Sequence, residues 1–303
     1  MNYYKPEYLT IEKFLSTVKD NEKRTNLEKL LNAMNQMFIY ITENDDVSID
    51  WVPEIRIRDS DEVGAEGNIY SISVDRGLIE YCYNLSHNIL ICIDELSEIE
   101  GIEKLAGIIP ITAFCWVMAH EFYHAARGHN ERIKSEDKRG VHETSAIQAG
   151  AEYDADSYAV YHVYRSLKLN FIKLFPIGPI DMLSRKIVFS ALFLLMRGLP
   201  NIHKSKSHPS RVQRLMSFIG KLSMLRASPE EPFDEKLSFP DARNRVDILF
   251  RFMIDCEQHF IEEFGTGQGD LIKEIANELG ENFDTSHIAA WDDMKMKPFK
   301  NKE

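Results

Sequence analysis

The sequence lacks the features that mark secreted, membrane-spanning and nucleic-acid-binding chains. It carries 4 cysteines in 303 residues, and Cys82, Cys92, Cys115 and Cys256 form no Cys-x-x-Cys pair. A disulfide framework is therefore not expected, in keeping with a reducing cytoplasm. Three of the four lie in apolar surroundings, where a free thiol packs as a small core residue. No apolar run reaches the roughly 20 residues that span a bilayer. The longest uncharged stretch, Leu105 to Ala119, contains Pro110 and leads straight into polar residues, and Ile187 to Met196 is shorter still. The first residues, MNYYKPEYLTIEKF, hold no apolar signal core, so a cytoplasmic protein without stable membrane insertion is expected. Acidic residues outnumber basic ones, 48 to 36. A net charge of −12 and a pI near 5.4 argue against nucleic acid as the main partner. There is no internal repeat and no long flexible linker.

What is present centres on Trp116 to His129, WVMAHEFYHAARGH. It contains His-Glu-x-x-His as His120, Glu121 and His124. Residues four apart stand one above the other on a helix. Two imidazole nitrogens can therefore meet one metal ion, and Glu121 is placed to reach a water there as a base. Ile108 to Met118 is an uncharged apolar run suited to a helix entering a core, Ala125 and Ala126 continue it, and Gly128 is a stop signal. The competing reading is a buried helix with two core histidines. That reading leaves Glu121 at the edge of an apolar helix with no named partner, a costly arrangement.

A second informative stretch is Ser145 to Tyr164, SAIQAGAEYDADSYAVYHVY, helical by its alanines and spacing. Glu152 and Asp156 lie four apart and share a face, with Asp154 turned away from it. A catalytic zinc held by two histidines takes a carboxylate as third ligand, and Glu152 is the candidate. Asp156 can support a ligating histidine through its far nitrogen. Among alanines and tyrosines these acids are not simply a solvated face. A third stretch, Lys204 to Arg214, places His208 and Arg214 around a helix start at Pro209 and Ser210. Both could bring positive charge to a developing oxyanion. His129 reads as a helix-terminus or supporting residue.

The remaining chain alternates between packing helices and a small sheet. Thr10 to Asp20, Asn26 to Ile41, Leu78 to Ile93, two helices within Ser166 to Met196, Asp241 to Phe264 and Leu271 to Leu279 read as helical. Asp94 to Glu103 is an acidic connector, Asn130 to Val141 a charged loop, and the stretch from Thr285 a mobile tail. Glu54 to Arg58 and Asn68 to Val74 alternate polar and apolar residues around the turn-rich Asp59 to Gly67. They are expected to form two antiparallel strands, with an extended substrate lying near Ile69 to Val74. The fold class is α+β, mainly α, with a small antiparallel sheet beside the active-site helix. The expected divisions are an N-terminal helical elaboration (1–48), a main domain carrying the His-Glu-x-x-His helix (49–265) and a C-terminal helix with its tail (266–303).

HEFYH at 120–124, EYDAD at 152–156 and HPSRVQR at 208–214, in that order, resemble the gluzincins, zinc peptidases whose third ligand is a glutamate on a second helix. Through roughly residues 50–220 the chain is most similar to the phage-exclusion peptidases of the Lit family. The CaaX prenyl proteases share the three-part signature more distantly. The resemblance implies a zincin-like core and Zn2+ bound by His120, His124 and Glu152. It implies Glu121 as catalytic base, Asp156 in support, and His208 and Arg214 near the reacting group. It also implies a protein substrate, a translation factor in the Lit family, and a phage-exclusion or toxin-like role. The matching residues are those of the chemistry and not those of substrate choice. Two rival functions are a non-enzymatic metal-binding interaction or sensor protein, closed by a fourth ligand such as His129 or His142, and a zinc hydrolase of a non-peptide bond.

Overall fold

The computed structural model describes residues 8–44, 53–68, 71–85, 87–98, 105, 107–129, 133, 144–174, 180–198, 209–225, 238–265 and 270–280. The architecture is α+β and mainly helical. Strand β1 (Tyr8–Leu9) leads into helices α1 (Ile11–Thr17) and α2 (Asn21–Asn44). Strands β2 (Glu54–Arg58), β3 (Ala65–Gly67) and β4 (Ser71–Asp75) follow, then α3 (Arg76–Tyr83) and the 3-10 turns His87–Cys92 and Asp94–Glu98. Among the described residues there follow helices α4 (Ile108–Arg127), α5 (Thr144–Leu174), α6 (Ile180–Gly198), α7 (Arg211–Met224), α8 (Ser238–Phe264) and α9 (Leu271–Gly280).

Helix α4 is the axis of the core. From Thr112 to His120 every residue is buried, as befits a helix apolar on nearly all sides. Helices α2, α5 and α6 and strand β3 pack around it. Its first turn carries Pro110, tolerated there because the missing N–H has no intrahelical acceptor to lose. Its end is set by Gly128, which adopts φ 58° and ψ 39°. That left-handed conformation costs glycine nothing and lets its N–H cap the carbonyls of His124 and Ala125. At the start of α7, Ser210 and Gln213 form a reciprocal capping box, so two N–H groups left over by the helix are satisfied by side chains.

The sheet corrects the expected strand pairing. Its order is β1-β2-β4-β3, and β2 and β4 run parallel, with Ile55 opposite Ile72 and Ile57 opposite Val74. The turn-rich Asp59 to Gly67 segment contains the missing strand: β3 folds antiparallel onto the far side of β4. Because the chain passes β4's position before returning to it, β4 enters beside β2 in the same direction. All five residues of β4 are buried, and it is paired on both sides. An extended substrate therefore cannot add to β4 itself, and the edge nearest α4 belongs to β3.

Leu78 to Ile93 is not one helix. Asn84 ends α3, its N–H reaching the carbonyls of Glu80 and Tyr81, and a separate 3-10 turn follows from His87. No described helix is long and apolar enough to cross a membrane. The Phe175 to Pro179 break, His142, His208 and the segment after Gly280 lie outside the described residues.

Candidate active site

Helices α4 and α5 cross so that three side chains converge. His120 Nε2 and His124 Nε2 are 3.0 Å apart. The Glu152 carboxylate lies 3.4 Å from each, through Oε2 and Oε1 respectively. The i, i+4 spacing on α4 supplies the two imidazoles, and α5 brings the carboxylate across from a position 28 residues beyond His124 in the sequence. These three residues could hold a metal ion. A tetrahedral ion with bonds of about 2.0–2.1 Å places its ligands about 3.3 Å apart, and the observed triangle has that size. Two neutral nitrogens with one carboxylate are also a donor set suited to zinc that leaves one coordination position unclaimed.

Behind His120 stands a buried ion-pair chain. His120 Nδ1 is 2.9 Å from Asp156 Oδ1. Asp156 in turn accepts from Arg214 Nε at 2.8 Å and from Arg214 Nη2. The side chains of Asp156 and Arg214 are 2% and 6% exposed, and the guanidinium also lies over the Trp116 ring, 5.3 Å from its centroid. Arg214 thus reaches the site through Asp156, with its fork turned to that carboxylate. Burial works against a charged His120, but Asp156 and Glu152 outweigh it and raise its pKa to about 10. His124 shows the reverse: burial and the neighbouring His120 charge push its pKa well down. Burial alone would raise the Glu152 pKa, yet the two histidines hold it below the usual carboxylate range.

Glu121 follows His120 on α4 and is electrostatically coupled to His120 and Glu152. Burial, with some help from Glu152, pushes its pKa up to about 7. Its Oε2 accepts the Gly67 N–H at 2.8 Å, which ties the end of β3 to the helix. Gly67 permits this approach because it has no side chain: a Cβ there would stand 2.2 Å from the Glu121 carbonyl oxygen. Backbone carbonyl and strand cannot both yield, so Gly67→Ala should destabilise the fold by about 1–3 kcal/mol. A shift of the urea midpoint at constant m checks it, and an unchanged midpoint would mean that the strand moves freely.

His129 follows the Gly128 turn and folds back over α4. Its Nδ1 is 2.9 Å from His124 Nδ1, on the side away from the triangle. It is not among the groups that could hold the ion, so it does not close the site as a fourth ligand. Asp154, on a different face of α5 from Glu152 and Asp156, lies beside His129: Oδ2 is 3.6 Å from His129 Nε2. Neither Gly67 nor Asp154 was among the residues that sequence spacing picked out, because both contacts depend on tertiary crossing.

A family model for peptidase U49 matches residues 8–235, most of the chain. The chain belongs to the peptidase U49 family. No curated protein and no solved structure matches this U49 chain. The matched region contains α4, α5 and α7, so the converging histidines and acids all lie within the part shared with the peptidase family.

Proposed function

We propose that this peptidase is a zinc-dependent endopeptidase that cuts a protein substrate in the cytoplasm. The observation carrying the reading is the triangle of His120, His124 and Glu152, of zinc-site dimensions, with Glu121 beside it in a chain of a peptidase family. Those three residues would hold the ion, which when bound supplies Lewis acidity toward water and a peptide carbonyl. Glu121 takes the proton of the attacking water and returns it to the departing amine. A base with a pKa near neutrality suits both transfers. The Gly67 N–H keeps its carboxylate aimed. Asp156 fixes the His120 ring, and Arg214 clamps Asp156 in place, a positioning part rather than contact with the oxyanion. His208, which the resemblance to the Lit family places near the reacting group, would bring positive charge to the developing oxyanion.

The substrate would lie extended along β3. Asn68 and Ser71 exchange both backbone hydrogen bonds, and the Asp75 N–H reaches the Gly64 carbonyl. By alternation, the N–H and C=O of Ala65 point away from β4. A peptide strand added there would run past Glu121. The phage-exclusion role and the translation-factor substrate come from the same resemblance and share one test.

That test is incubation of metal-stripped and zinc-loaded protein with host-cell lysate, with sequencing of any new protein termini. About one zinc per chain, and fragments produced by the loaded form alone, are the expected results. A chain that binds no zinc, or one that cleaves as fast after stripping, would sink the proposal.

A further inference from the structure

His124 has its own supporting device, different in kind from that of His120. A neutral imidazole that offers Nε2 to a metal keeps its proton on Nδ1. His124 Nε2 faces the triangle, so its Nδ1 must donate. The atom 2.9 Å away is His129 Nδ1, which can accept only as a lone pair. The His129 proton then sits on Nε2, on the side of the Asp154 carboxylate, whose Oδ2 is 3.6 Å away, too far for a hydrogen bond but close enough for its charge to be felt. The His129 side chain is 0% exposed, so water does not compete for either nitrogen. Asp154 is further engaged by the Tyr123 hydroxyl, whose pKa is raised chiefly by burial and also by Asp154. The Tyr123 oxygen in turn accepts from Arg127 Nε at 2.7 Å, and its ring stacks on Tyr158 with centroids 3.8 Å apart.

We propose that His129 is a positioning residue for His124, accepting its Nδ1–H, and that the charge of the nearby Asp154 carboxylate favours the His129 tautomer that can do so. One metal-facing histidine is thus backed directly by an anion held by Arg214. The other is backed by a neutral imidazole, with its carboxylate one residue further away. The inference rests on the zinc reading above. It adds an asymmetry between the two histidines: His120 is anchored by charge and His124 by a hydrogen-bond relay whose direction is fixed.

The experiment is zinc competition against a chromophoric chelator on the full chain. It compares wild type with His129→Leu, His129→Gln and Asp154→Asn, and melting of each metal-free variant runs in parallel. Loss of a group supporting a metal ligand typically costs about 10–100-fold in affinity. His129→Leu should fall in that range as zinc affinity of the folded chain. Its metal-free melting temperature should drop as well, because the buried His124 N–H loses its acceptor, so the competition is run at a temperature where each variant is folded. His129→Gln, whose amide oxygen can accept the same N–H, should recover most of the affinity, and Asp154→Asn should lie between. Long-range proton–nitrogen spectra of zinc-loaded wild type should show His129 protonated on Nε2 alone. This readout does not depend on any variant folding. A His129 proton on Nδ1, or a His129→Leu variant binding zinc as tightly as wild type, overturns the relay and leaves the zinc reading intact. Wild type that fails to bind zinc overturns both.

Discussion

A Glu121→Gln chain should cleave its substrate about 10²–10⁴ times more slowly than wild type while holding the same amount of zinc. The range is that of a lost general base. The substitution is chosen because it changes so little else. Glutamine has the shape of glutamate, and its amide oxygen can accept the Gly67 N–H that Glu121 Oε2 accepts at 2.8 Å. The link between β3 and α4 therefore survives. Glu121 lies outside the His120, His124 and Glu152 triangle, so metal content has no reason to change. What disappears is the ability to take a proton, which burial has tuned to a pKa of about 7 in the carboxylate. Stability should hold or rise slightly, since a neutral amide is cheaper than a carboxylate to keep out of water. The measurement is kcat/KM for the fragment-yielding substrate, with zinc analysis of the same samples. Undiminished turnover would remove Glu121 from the chemistry. Parallel loss of zinc would instead make it part of the metal's support.

Much of this site was legible because its key spacings are local. Helix α4 runs from Ile108 to Arg127, the bounds that the apolar run and Gly128 suggest. Glu152 and Asp156 share a face because they are four apart on α5, and both point at α4. What could not be read was set by tertiary geometry. Ala65–Gly67 has no β-branched or aromatic residue to mark it as a strand, so its place outside β4 was hidden, and with it the parallel pairing of β2 and β4. Asp154 is turned from Glu152 by helical periodicity, yet His129 comes to meet it. The left-handed turn at Gly128 sends the chain back over α4 by a route that no local pattern encodes. The Asp156–Arg214 pair joins residues 58 apart, a partnership that spacing allows but does not name.

That pair carries the second large prediction. Arg214→Leu should destabilise the metal-free protein by about 3–5 kcal/mol, because it leaves the Asp156 carboxylate buried without its partner. With side chains 2% and 6% exposed, water cannot step in as it would at the surface. Arg214→Lys should cost less, since the charge remains and only the two-pronged fork is lost. The double variant Arg214→Leu with Asp156→Leu should regain much of the single variant's loss, since a buried pair replaced by apolar groups is often close to neutral. The regained stability should not restore zinc affinity. Asp156 stands 2.9 Å from His120 Nδ1, and without it the ring loses its orienting anion. Urea unfolding in the presence of a chelator, with zinc competition on the same variants, separates the two effects. A double variant that is stable but weak in zinc binding would show that Asp156 and Arg214 are held in the core for the sake of the metal site. A double variant restored in both would make them a structural pair that happens to lie beside it.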